Sequence, residues 1–254
     1  MILRPLEPVA PSNNDFVSAW GVVQSTQIQK YKECWLITQP SHAALAGEVA
    51  AKVSSPQLPA LDDALVRAIA MHDAGWGVPD ARAIVRSRSA PQQRPESFIE
   101  VPATQFLQAW EESIAAAQAV SPAGGYIVSR HFCRIAKSHP KSGDNTKQVQ
   151  QFLDRESQRQ KKLLSKQTRG TRELELLTDL LQFCDLLSLY ICCGARERVS
   201  FPEYFGVSVR LTPEESGLKL DPPLIAPGSQ FSAAALRHPE TKTISSQQIV
   251  VRMA

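Results

Sequence analysis

The sequence has 254 residues, of which 43% are apolar, and its 28 basic and 25 acidic side chains leave a formal net charge of +3. A chain of this length buries a core without disulfide bonds or a structural metal. No stretch reaches the roughly eighteen uninterrupted apolar residues of a membrane span, and the first twenty residues lack the apolar core of a signal peptide, so we expect a cytoplasmic protein with no membrane partner.

The two ends of the chain, 1–39 and 196–254, are predicted to be extended. The runs MILRPL and CWLITQ are short and apolar, with a loop rich in Pro and Asn between them. Near the other end, six prolines and the β-branched runs VSVRLT and QQIVVR replace the helical pattern. Because short terminal strands need a partner, we expect the two ends to pair as a small sheet on the same unit.

Residues 40–195 are predicted to form one helical domain, so the fold class is mainly α with a small β-rich region. Ala and Leu recur there at three- and four-residue spacing, which is typical of amphipathic helices. The predicted helices cover residues 41–53, 60–74, 103–119, 122–137, 146–167 and 171–194.

The five cysteines form no C-x-x-C pair. This pattern argues against a zinc knuckle and against a secreted disulfide framework. The cysteines are therefore interpreted as small buried hydrophobes.

The positive charge is concentrated between Arg130 and Arg172, where twelve basic residues face three acidic ones. Such a segment attracts a phosphate, a nucleic acid or an acidic partner, or it is simply a solvated helix face. Only Phe132 and Phe152 are aromatic there, so the segment offers no base-stacking platform and nucleic acid is not the expected partner.

Two histidines lie on apolar helix faces. In SHAALAGEVAAKV, His42 shares a face with Leu45 and Val49, and Ser41 is a plausible N-cap. In PALDDALVRAIAMHDAGWG, the apolar stripe leads directly to His72 and Asp73, and Gly75 is the predicted helix stop.

A carboxylate occupies a core position in the last helix. The apolar stripe from Leu174 to Cys192 includes Asp185. An unpaired buried carboxylate is costly, so Asp185 needs a cation, a metal or several donors. Together with His42, His72 and Asp73 it forms a set of N and O ligands for one divalent ion, with Mn, Fe, Co, Ni or Zn favoured over Mg or Ca.

The order His42, then His72-Asp73, then Asp185 resembles the H…HD…D signature of the HD-domain superfamily of metal-dependent phosphohydrolases. The segments CWLITQPSHAALAGEVA, AIAMHDAGWG, YIVSRHF and CDLLSL are more similar to a smaller bacterial group of HD-type proteins, known only as a domain of unknown function. The resemblance spans residues 34–194. It implies an HD-like helical bundle, a metal bound by these four residues, and hydrolysis of a phosphoester by a metal-activated water, with Asp73 also accepting a hydrogen bond from that water.

Further candidates surround this set. His131 lies on an apolar stripe and is predicted to contact phosphate or donate a proton, with Arg130 or Arg134 as the anion clamp. Trp76 is a candidate pocket wall, and Asp80 a candidate for orienting a water or a ligand histidine. Only His131 and His139 are available for a second metal, so the ligand supply favours one ion over two.

Two functions stay open on these residues. The first is a metal-dependent phosphohydrolase acting on a nucleotide or another small phosphate ester. The second is a regulatory module that binds a metal or ligand without turnover, because His131 is the sole evident general acid. The sequence leaves the native metal, the substrate and the oligomeric state open.

Overall fold

Helices form the centre of the molecule and strands form its two ends. The computed structural model describes residues 1–7, 9–138, 145–240 and 246–254. The helices are α1 (Ala19–Gln27), α2 (Gln39–Ala50), α3 (Asp63–Ala70), α4 (Gly77–Ser89), α5 (Ala103–Val120), α6 (Pro122–Ser138), α7 (Asn145–Leu164) and α8 (Thr171–Cys193). The strands are β1 (Ile2–Pro5), β2 (Val17–Ser18), β3 (Cys34–Ile37), β4 (Val199–Ser200), β5 (Arg210–Glu214), β6 (Gly217–Asp221), β7 (Gln230–His238) and β8 (Ser246–Arg252).

The two ends of the chain pair with each other, in two four-stranded sheets. The first sheet has the order β1-β3-β7-β8 and is antiparallel throughout. The second has the order β2-β4-β5-β6, and its β2 and β4 run parallel. The mainly α fold with a small β region is therefore confirmed, with two sheets in place of one.

Capping residues fix where α2 and α3 begin. Thr38 is the N-cap of α2, and its side chain accepts a hydrogen bond from Ser41 N, so the prediction of Ser41 as the cap was wrong. Pro40 fits the first turn because a proline there removes no helical hydrogen bond. Asp62 caps α3 by accepting from Leu65 N at 2.8 Å.

The predicted turn after His72-Asp73 is only partly a turn. A 3-10 helix, Ala74–Trp76, leads directly into α4, so Gly77 and Pro79 occupy the first turn of a helix. Residues 19–27, predicted to be non-helical, form α1. Its sequence AWGVVQSTQ contains Gly, Ser and Thr, which are weak helix formers, so the local pattern is poor and tertiary contacts stabilise the helix.

The longest helix, α8, runs through the middle of the core. By length and composition alone it is apolar enough to cross a membrane, but 78% of that apolar stretch is buried within the fold. Such burial is typical of a helix in the core of a fold. The helix ends at Gly194, whose φ of 70° lies in the left-handed region that favours glycine.

Candidate metal centre

The structure brings the four predicted ligands to one point in the helical core. His42 lies in α2, His72 and Asp73 follow α3, and Asp185 lies in α8. His42 Nε2 is 2.8 Å from Asp73 Oδ2 and 3.8 Å from Asp185 Oδ1. His72 Nε2 is 3.2 Å from Asp185 Oδ1 and 3.8 Å from Asp73 Oδ2. The helices thus place the Nε2 atoms of two imidazoles opposite the oxygens of two carboxylates.

Hydrogen bonds on the far side of each imidazole fix its orientation. His72 Nδ1 lies 2.8 Å from the Ile69 carbonyl, which only accepts, so Nδ1 carries a proton. Ser188 donates its hydroxyl proton to the Asp185 carbonyl at 2.8 Å, so its oxygen accepts from His42 Nδ1 at 3.0 Å. Both rings therefore turn Nε2 toward the carboxylates, which is the arrangement that metal-binding histidines use.

The atoms that face each other in this site are hydrogen-bond acceptors when the imidazoles are neutral, so they repel one another unless a proton or a cation lies between them. A neutral imidazole protonated on Nδ1 presents a lone pair at Nε2, and an ionised carboxylate presents only lone pairs. The side chains of His42 and His72 are buried, and no Lys or Arg side chain among the described residues reaches these carboxylates within ion-pair distance. Either protons or a metal ion must therefore separate these groups.

The spacing of the ligand atoms fits one metal ion. Ligand atoms of His42, His72 and Asp185 lie within 4.8 Å of one another, and Asp73 Oδ2 extends the group on the His42 side. Atoms held about 2.1 Å from a common metal lie roughly 3 to 4 Å apart. The donor set fits a borderline divalent ion, as the residue types indicate.

Without a metal, a proton on His72 takes its place. Burial alone would lower the pKa of His72, but the charge of Asp73 and the hydrogen bond to Asp185 outweigh it and raise the pKa to about 9. Burial alone would raise the pKa of Asp185, but the hydrogen bond from His72 and the neighbouring imidazoles lower it to about 2. A metal that enters the site displaces the proton from His72.

His131 lies beside this group, on α6. Its Nε2 is 3.7 Å from Asp185 Oδ2, and its ring meets the His72 ring edge-on with centroids 5.6 Å apart. Burial lowers the pKa of His131 to about 4, so the ring is neutral near pH 7. His131 is therefore a neutral hydrogen-bonding group, and its environment disfavours the charged imidazolium that the predicted proton donor needs. The other predicted second-metal ligand, His139, lies outside the described residues.

The two predicted anion-clamp arginines are already paired. Arg130 Nε lies 2.8 Å from Glu175 Oε1, and Arg134 contacts Glu175 at 2.7 Å and Asp179 at 2.5 Å. These bonds join α6 to α8. Because acidic residues on the facing helix occupy both guanidinium groups, the structure does not support the anion-clamp prediction.

Asp80 and Trp76 have different surroundings. Asp80 accepts a hydrogen bond from Gln39 N at 2.6 Å and pairs with the Met1 amino group at 3.0 Å. Its carboxylate therefore anchors the start of α2, and its polar contacts among the described residues go to Gln39 and Met1 and not to the ligand histidines that it was predicted to orient. Trp76 is buried and lines the cavity beside the ligands.

That cavity has a volume of about 420 Å³. At one end it is lined by His42, Asp73, His131 and Asp185, and its other lining is mostly apolar. Water or a ligand that fills it meets two carboxylates and two imidazoles at its polar end. The volume falls within the range of small-molecule sites.

Sequence reasoning missed Ser188 and Gln39. Ser188 lies three residues after Asp185, so the two residues share a face of α8. A hydroxyl residue in such an apolar segment could have been predicted to hydrogen-bond near the site. Gln39 is buried, lines the cavity, and leaves its Oε1 without a hydrogen-bond partner in the described part of the chain. Its position in the first turn of α2 gave no comparable signal.

Fold and site together define a mainly α-helical protein with a buried His-His-Asp-Asp centre. The chain belongs to the family described as protein of unknown function (DUF3891), whose model matches residues 27–222. That range includes all four ligand candidates, His131 and Gln39. No curated protein and no solved structure matches the chain.

Proposed function

We propose that the chain is a metal-dependent phosphohydrolase of the HD type, with one divalent ion held by His42, His72, Asp73 and Asp185. The observation that carries the proposal is the convergence of two Nε2 atoms and two carboxylates in a buried site that no Lys or Arg side chain of the described residues reaches within ion-pair distance. The ligand order resembles the H…HD…D pattern, and the four residues lie in helices or directly after one.

The protein side chains divide the work of such a reaction. A bound divalent ion supplies a Lewis acid and acidifies a water molecule. Asp73 directs Oδ2 toward His42, and its carboxylate accepts a hydrogen bond from the attacking water. The neutral ring of His131 hydrogen-bonds the phosphoryl group at the polar end of the cavity. The apolar lining limits the access of bulk water.

A second candidate is a regulatory module that binds a metal or ligand without turnover. The observation in its favour is that His131, the predicted proton donor, is neutral near pH 7, since burial lowers its pKa to about 4. Both candidates use the same buried site. They differ only in whether a phosphate ester is cleaved.

We place the protein in the cytoplasm. All five cysteines are buried and unpaired. Free thiols without disulfide bonds are typical of a reducing compartment.

The test compares Asp185→Asn with Asp179→Asn in chains loaded with Mn, Fe, Co, Ni or Zn. Asp179 is a carboxylate on the same helix that pairs with Arg134 and accepts from Phe205 N, away from the ligands. Asp185→Asn is expected to lose both bound metal and hydrolysis across a panel of phosphate esters and nucleotides, whereas Asp179→Asn keeps both. Full metal occupancy in Asp185→Asn contradicts the proposed site, and metal binding by the wild-type chain without hydrolysis favours the regulatory module.

A further inference from the structure

The cavity next to the metal centre is walled by aromatic rings. Its volume is about 420 Å³, and its polar end holds the ligand carboxylates. The aromatic residues in its lining are Trp20, Trp76, Phe98, Phe106, Trp110 and Phe132. Most of these side chains come from α1, α5, α6 and the 3-10 helix, and Phe98 comes from the loop before α5, so helices of the core supply most of the wall.

The rings form a continuous row. Trp76 and Phe106 meet edge-on with centroids 5.4 Å apart, and Phe106 meets Trp110 at 4.4 Å. Trp110 stacks on Phe132 at 4.7 Å. Aromatic groups prefer such edge-on and stacked contacts with one another, so the row favours a flat ring over an aliphatic chain.

The cavity lacks basic side chains. No Lys or Arg belongs to its described lining. A divalent ion and the two ligand carboxylates together carry no net charge, so the site can balance little negative charge from a substrate. Enzymes that bind polyphosphates add Lys or Arg around the phosphates. The lining therefore favours a single phosphate group.

Gln39 adds a polar contact in this wall. Its backbone N–H donates a hydrogen bond to Asp80 and the residue is buried, so the backbone position from which its side chain extends is fixed. Its Oε1 is buried without a hydrogen-bond partner among the described residues. A buried acceptor left unpaired is costly, and because Gln39 lines the cavity, its side chain gains a partner by turning Oε1 toward an N–H or O–H at the edge of a ligand ring.

We propose that the substrate of this site is an aromatic phosphomonoester, with a flat ring against Trp76, Phe106 and Trp110, and an N–H or O–H on the ring bonded to Gln39. This inference rests on the proposed function, because the metal holds the phosphate. It excludes nucleoside triphosphates as preferred substrates.

The test measures binding by calorimetry, because esters with different leaving groups differ in reactivity. The probes are naphthylmethylphosphonate, indolylmethylphosphonate, decahydronaphthylmethylphosphonate and methylphosphonate, added to the Mn²⁺-loaded chain. We expect naphthylmethylphosphonate to bind at least about tenfold more tightly than methylphosphonate, and more tightly than the decahydronaphthyl compound, which has the same carbon skeleton without aromatic rings. The indole, which has a ring N–H, should bind more tightly than the naphthalene.

Two variants assign these preferences to side chains. Phe106→Leu keeps an apolar wall and should reduce the preference for naphthyl over decahydronaphthyl. Gln39→Met fills the same space without the acceptor and should abolish the preference for indole over naphthalene. Asp179→Asn, remote from the cavity lining, should change neither.

The outcomes separate the two proposals. Equal affinity for all four phosphonates, or no binding of any of them to the metal-loaded chain, overturns the inference even if simple esters are hydrolysed. The expected order of affinities without hydrolysis of any ester overturns the phosphohydrolase and leaves the aromatic specificity standing. If the chain takes up none of Mn, Fe, Co, Ni and Zn, the proposed function fails, and 2-naphthol binding to the metal-free chain, weakened by Phe106→Leu, still decides the aromatic site.

Discussion

Gly75 sets the position of Asp73, because it lies where α5 touches the turn after α3. A Cβ atom on residue 75 would lie 2.1 Å from the Ala109 carbonyl oxygen and 2.9 Å from Ser113 N. Relaxed carbon-oxygen contacts are about 3.3 Å, so Gly75→Ala must push α5 and the turn apart by about 1 Å. Gly75 N also donates to Ser113 Oγ at 3.0 Å, and that bond would stretch.

The expected cost of Gly75→Ala is that of an overpacked core, about 1 to 3 kcal/mol of unfolding free energy. For a chain of this size that lowers Tm by roughly 2 to 10 °C. Metal affinity should fall by about tenfold or more, because Asp73 moves relative to His42. The assays are thermal unfolding of the metal-free chain and calorimetric titration with Mn²⁺ or Zn²⁺.

The matched control is Gly77→Ala. A Cβ atom there meets nothing within 4 Å, and the residue already has helical φ and ψ of −55° and −49°. This variant should keep the Tm and the metal affinity of the wild type. If Gly75→Ala behaves like Gly77→Ala, the close approach of α5 does not position the site.

Three other measurements test the surroundings of the centre. Ser188→Ala removes the acceptor for His42 Nδ1 and should weaken metal binding by about 10- to 100-fold. The control Thr178→Val removes a hydroxyl that donates to Leu174 O on the same helix, and it should leave metal binding unchanged. Equal metal affinities of the two variants would contradict the orienting role of Ser188. Because the pKa of His72 in the metal-free chain is about 9, a metal ion must displace the proton on His72. Metal affinity should therefore drop by about tenfold per pH unit below pH 9, and metal uptake at pH 7.5 should release a proton. A metal affinity that does not change with pH would show that His72 is not a ligand. Arg134→Gln breaks partly exposed ion pairs between α6 and α8, so it should lower the free energy of unfolding by about 1 kcal/mol and leave metal affinity unchanged. Loss of metal in this variant would show that Arg134 contributes to the metal site.

Three of the four candidate ligands stand out from their local sequence pattern, so their core-facing positions could be predicted. Asp185 interrupts an apolar stripe, and His42 and His72 continue one, so periodicity alone identified them as core-facing polar groups. Long, periodic helices such as α5, α6 and α8 were likewise located within a few residues. The helix α4 was missed because Gly77 and Pro79 resemble turn signals, although both residues fit the first turn of a helix.

The partners of charged residues could not be predicted in the same way. Arg130 and Arg134 lie at helical spacing next to His131, which suggests a clamp, but Glu175 and Asp179 lie more than forty residues later and face them only after α6 packs on α8. Asp80 likewise finds Met1 and Gln39 through long-range packing. The aromatic wall depends on the same packing, since its rings come from distant segments.

The measurement that tests the metal centre most directly is anomalous X-ray scattering from crystals of the chain grown with Mn²⁺ or Zn²⁺. The account predicts one peak about 2.0 to 2.3 Å from His42 Nε2, His72 Nε2 and the carboxylates of Asp73 and Asp185. No peak at this position in metal-soaked crystals, with the imidazoles bonded directly to the carboxylates, would contradict it.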